Sequence, residues 1–67
     1  MRRNQRIPLT RYADFYGIAT LLEALYHAHR ETHAVYATGM GYCSFDGALS
    51  VYKADPSLLC VEVRNAA

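Results

Sequence analysis

No stretch of the chain approaches the ~20 consecutive apolar residues needed to span a bilayer, and the opening Met-Arg-Arg-Asn-Gln-Arg lacks the apolar run of a secretory signal. Cysteine is scarce: Cys43 and Cys60 are the only two. Together these absences point away from a membrane partner and towards a reducing, cytoplasmic setting with two buried thiols. No repeat and no low-complexity segment is present. Gly39-Met-Gly41 is not followed by a helix start, so it is not a dinucleotide fingerprint. Acids are missing from the first eleven positions, where Arg2, Arg3, Arg6 and Arg11 supply four of the seven basic residues. The remainder of the chain is therefore mildly acidic, although the net charge is only +1. Such a split gives a basic N-terminal arm, residues 1–9, on a single domain, residues 10–67. The arm suits contact with nucleic acid or an acidic protein face.

What is present favours a folded protein. The chain has 67 residues, 52% of them hydrophobic, and six tyrosines. A domain this small buries only about 60% of its unfolded surface. Its apolar content exceeds what one small core hides, which favours a homo-oligomer, a homodimer being the simplest, or an obligate protein partner.

The longest periodic stretch is Arg11–His33. With Phe15 as reference at 100° per residue, Ile18, Ala19, Leu22, Leu25 and Tyr26 share one side, and Ala13, Tyr16, Thr20, Glu23, Ala24, His27 and Glu31 take the other. Thr10 is the predicted N-cap. Gly17 weakens a single helix, and Thr20-Leu-Leu-Glu23 has the spacing of a capping box, so two helices over 10–16 and 20–33 are the alternative. The stripe through Tyr12, Phe15, Ile18, Leu22 and Leu25 has no phase slip, which favours one long helix.

Ile7 and Leu9, held extended by Pro8, are expected to tuck under that helix or add a short edge strand. His33–Thr38 reads as a first strand. Tyr42–Phe45, Asp46-Gly47 and Ala48–Tyr52 read as a hairpin with a two-residue turn, pairing Phe45 with Ala48 and Cys43 with Ser50. Tyr42, Leu49 and Val51 would then face inward, exposing Phe45 and Tyr52. Asp55-Pro56 starts a helical turn or a reversal, and Leu58–Val63 is the last strand, with Leu59, Val61 and Val63 on one face. The expected fold is α+β, one long N-terminal helix on a three-stranded antiparallel sheet in the order α-β-β-β.

Chemistry-bearing patterns are sparse. His29 and His33 are four apart and could share a metal with Cys43 or Cys60, but without a paired-cysteine knuckle they read better as cations closing a helix C-terminus. His27 stands between Glu23 and Glu31, an arrangement more typical of a solvated charge ladder than of an acid–base pair. No nucleophile, oxyanion hole or phosphate loop accompanies them, so no enzyme, metal or cofactor is expected. Tyrosine supplies rigid contact area with a polar tip and is enriched at interfaces. The expected contact residues are Arg2, Arg3, Arg6, Tyr16, Glu23, His27, Phe45, Tyr52 and Lys53. The leading expectation is a small non-enzymatic protein that binds another macromolecule. Its size and lack of motifs suit an inhibitor of a host system, of the kind phages and mobile elements encode, anti-CRISPR proteins among them.

Leu9–Ile18 resembles the first helix and turn of a helix-turn-helix, with Ala13, Gly17 and Ile18 at the spacing such motifs use. The resemblance covers residues 9–33. It implies a winged DNA-binding regulator in which Thr20 caps the recognition helix and the Asp46-Gly47 hairpin is the wing. Glu23 and Glu31 on that helix depart from the pattern, because they repel phosphate.

Overall fold

The computed structural model describes residues 3–65. Their elements are strand β1 (Arg3–Pro8), helices α1 (Leu9–Tyr16) and α2 (Leu21–Arg30), strands β2 (Ala34–Ala37) and β3 (Gly41–Cys43), helix α3 (Phe45–Ala54), a 3-10 turn (Pro56–Leu58) and strand β4 (Leu59–Asn65). The sheet is antiparallel with order β1-β4-β2-β3. The α+β class stands, but the single helix and three strands give way to three helices and four strands among the described residues.

The first correction is at Gly17. Its φ of 67° is left-handed, and two backbone bonds close the end of α1: Gly17 N–H to Asp14 O at 3.2 Å and Ile18 N–H to Ala13 O at 2.8 Å. This is the Schellman stop, which puts glycine where a side chain would be strained. Three residues after Gly17, Thr20 caps α2, its Oγ1 accepting from the Glu23 N–H at 3.1 Å while its hydroxyl donates to the Glu23 carboxylate at 3.0 Å. The capping-box spacing thus marks a real helix start. Thr10 is not a cap: α1 already begins at Leu9, directly after Pro8, whose missing N–H suits a strand end.

The inward face also differs from the predicted stripe. Leu9, Tyr12 and Ala13 of α1 and Ala24, Leu25 and Ala28 of α2 are buried, whereas Phe15 and Leu22 face water. Each helix keeps its own i, i+3, i+4 set. The uninterrupted stripe is an accident of the four-residue turn between them.

Ile7 takes the expected edge strand, β1, whereas Leu9 opens α1 and is buried in the core. From Arg3 to Pro8 the basic segment forms a sheet edge, pairing with β4 from Arg3↔Asn65 to Pro8↔Cys60.

The predicted 42–52 hairpin does not form. Ser44 accepts the Gly47 N–H at 3.1 Å and caps α3, so Asp46 and Gly47 fill a first helical turn. Asp46 there also suits the positive end of the helix dipole. Phe45, Ala48, Leu49 and Tyr52 follow i, i+3, i+4, i+7, a helical period that the Asp-Gly pair masked. Ala48 and Val51 are buried, Phe45, Leu49 and Tyr52 are half-buried, and Tyr42 points outward rather than in. The wing of the winged-helix reading is thereby absent.

Asp55 starts the 3-10 turn, accepting from the N–H and hydroxyl of Ser57 at 3.1 and 2.7 Å. β4 then runs between β1 and β2. The alternation read for it holds: Leu59 and Val61 are fully buried and Val63 half-buried. Each helical connection therefore skips over a strand supplied by the other one, giving two interleaved βαβ units. Val35, Ala37, Leu59 and Val61 share one core with the three helices, so the helices cover one face of the sheet and leave the other open.

Candidate binding surfaces

The helical corner is built by the break at Gly17. It turns α2 back beside α1, sets the Tyr16 ring against His27, and forms a groove of about 560 Å³ lined by Glu23 and His27 with Gly17, Ile18, Ala19, Tyr26 and Arg30. Tyr12, with no exposed surface, places its hydroxyl 2.8 Å from His27 Nδ1, a bond available in either imidazole tautomer. Burial raises the Tyr12 hydroxyl pKa far above its ordinary value, with Tyr16 and then Glu31 adding to the effect. The Tyr16 ring lies 4.7 Å from both the Tyr12 and the His27 rings, and Phe15 stands edge-on to Tyr16 at 4.9 Å. On the other side of α2, Phe45 packs between Tyr26 at 5.1 Å and His29 at 4.2 Å. Phe15 keeps 76% of its surface in water, Tyr16 and Tyr26 42% each, and Leu22 39%. The result is a contiguous aromatic surface on the two short helices.

The open sheet face is the second surface. Strand register places Asn4, Arg6 and Pro8 of β1, Cys60 and Glu62 of β4, Ala34 and Tyr36 of β2 and Tyr42 of β3 on it. Arg6 lies 3.6 Å over the Tyr36 ring and meets Glu62 through Nε at 3.4 Å. Asn4 donates to the same carboxylate at 2.6 Å. The Asn4 amide, then the Tyr36 hydroxyl and Arg6, hold the Glu62 carboxyl below its ordinary range. Tyr42 stands edge-on to Tyr36 at 5.9 Å and is 69% exposed.

Of the nine expected contact residues, Tyr16, Glu23 and His27 converge at the corner and Arg6 belongs to the sheet face. Phe45 and Tyr52 flank the core instead of projecting freely, because their segment is a helix. Lys53 is exposed in the last turn of α3. Arg3 is a β1 residue, and Arg2 lies outside the described residues. His29 and His33 do not meet. α2 ends at Arg30 and Thr32 turns left-handed at φ 59°, so His29 stacks on Phe45 while His33 packs against Tyr12. Among the described residues, no group of His, Cys, Asp and Glu is arranged to hold a metal, and no helix is long and apolar enough to cross a membrane. Cys43 and Cys60 are free thiols, half-buried rather than buried.

The sequence reading missed Phe15, Leu22, Tyr26, Tyr36 and Tyr42 as surface groups. Phasing α1 from Leu9 would have placed Phe15 outside the inward set, and reading Ser44 as an N-cap would have freed Tyr42 from the hairpin. Comparison with family models, curated proteins and solved structures gave no match.

Proposed function

We propose that this protein works by binding rather than catalysis, gripping another protein through the α1–α2 corner. The observation that carries this reading is the exposure of Phe15, with Tyr16, Leu22 and Tyr26 beside it, on helices whose opposite sides are already buried. Exposed aromatics held rigid by neighbours are the residues that dominate protein interfaces. The helical layer and its connections carry Asp14, Glu23, Glu31, Asp46 and Asp55 against Arg11, Arg30 and Lys53. A basic partner surface complements that balance. Proteins that handle nucleic acid have such surfaces, which agrees with a role as an inhibitor of a host system. That narrower role, and an origin in a phage or mobile element, rest on chain size and missing motifs alone.

The test is a comparison of captures from host lysate with three baits: wild type, Phe15→Ala and Tyr26→Ala. Support is a partner recovered by the wild type and lost with either variant while circular dichroism stays unchanged. Equal recovery by all three baits refutes the reading. The winged helix-turn-helix alternative keeps its two helices but has a helix, α3, in place of its wing, and Glu23 faces outward from the would-be recognition helix.

A further inference from the structure

We propose that the open face of the sheet binds a single strand of nucleic acid. Charge is sorted by layer. Five of the six acids belong to the helical side and its connections, whereas Arg3, Arg6 and Arg64 lie in β1 and β4 with Glu62 as the sole acid of those strands. On the open face the register places Arg6 and, paired with Asn4, Arg64 against the single acid Glu62, and that face carries Tyr42, the most exposed tyrosine among the described residues. Glu62 is the one acid on this face, and Asn4 and Arg6 both contact its carboxylate.

The geometry fits the two contacts that a single strand needs, a ring to stack a base and a cation for the backbone. Tyr42 is the ring. It is 69% exposed, and its neighbour Tyr36 has Arg6 over it. Arg6 is the cation. It meets Glu62 through Nε alone, which leaves the terminal nitrogens of the guanidinium to turn towards a phosphate. Arg6 pairs with Glu62 and Tyr36 with Tyr42 in adjacent register rows, and the Arg6 guanidinium reaches diagonally to the Tyr36 ring, so a strand crossing the sheet meets charge at β1 and a stacking ring at β3.

A second copy is a poorer occupant. Strands of six, seven, four and three residues about 4.8 Å apart offer roughly 300 Å², against the ~800 Å² per partner of a stable interface. Duplex DNA does not present unstacked bases to a flat ring, so the face discriminates against it.

The experiment is fluorescence anisotropy with labelled oligothymidylate and oligouridylate of about twelve nucleotides, and with a duplex of equal length, at about 50 mM salt. The expected result is binding of at least one single strand in preference to the duplex. Tyr42→Ala should weaken it about tenfold. Arg6→Gln should weaken it as well and reduce the salt slope by about one. Phe15→Ala should leave it unchanged, which separates this face from the helical corner. Both variants alter exposed side chains, so unchanged circular dichroism is the fold control. No binding of either strand at low salt overturns the proposal. So does equal affinity for strand and duplex, an unaltered Tyr42→Ala variant, or a sedimenting dimer that Tyr42→Ala dissolves.

Discussion

Replacing Gly17 with alanine discriminates between the two ways of reading residues 10–33, because they predict opposite signs. In a continuous helix, alanine for glycine stabilises by about 1 kcal/mol. In this fold Gly17 sits at φ 67°, where a side chain costs roughly 1–2 kcal/mol. A Cβ built there meets nothing within 4 Å, so the penalty comes from the backbone conformation and not from a clash. The expected effect is a loss of about 1 kcal/mol, or a drop in Tm of about 4–8 °C for a domain of this size. Thermal and urea unfolding followed by circular dichroism measure it directly. Gly17→Asn should lose less, since Asn tolerates the left-handed region. An alanine variant more stable than the wild type would refute the break, and with it the corner that Tyr16, Glu23 and His27 form.

Thr32 occupies the equivalent stop after α2, with His33 N–H to Ala28 O at 2.9 Å and Thr32 N–H to His29 O at 3.0 Å. A β-branched residue is strained there, so Thr32→Gly should stabilise by about 1 kcal/mol in urea unfolding. Thr20→Ala and Ser44→Ala each remove an N-cap and should each cost about 1 kcal/mol in the same assay. Leu59→Ala empties a fully buried site in the core and should cost about 2–5 kcal/mol, enough to leave much of so small a domain unfolded by circular dichroism. Tyr12 sets an alkaline limit. Its folded pKa is raised, so the unfolded chain releases the proton first and stability falls as pH rises past the ordinary tyrosine value of 10.0. The slope from this one group approaches about 1.4 kcal/mol per pH unit. Tyr12→Phe, measured from about pH 9 to 11, should flatten that decline.

The sequence was most legible where local chemistry decides the structure. Thr20-x-x-Glu23 and Gly17 are start and stop signals within single turns, and β4 alternates because one of its faces is fully buried. It misled where two local signals compete. Asp46-Gly47 is a good hairpin turn in isolation, yet Ser44 two residues earlier can cap a helix, and the packing of Ala48 and Val51 against β2 and β4 decides for the helix. That packing depends on residues distant in the chain. β4 closes the sheet from the far end of the sequence, so neither the strand order nor the pairing of β1 could be read locally. The site suffered the same way. Tyr16, Glu23 and His27 were legible as an outer helix face, but the fold alone shows Phe15 exposed and Tyr36, Tyr42 and Arg6 together on one uncovered sheet.

The most direct test of the binding account is hydroxyl-radical footprinting of the protein alone and in complex with the partner captured from its host. The account predicts that Phe15, Tyr16 and Tyr26 lose reactivity in the complex while Tyr42 keeps it. Protection confined to Tyr36 and Tyr42, with Phe15 as reactive as in the free protein, would contradict it.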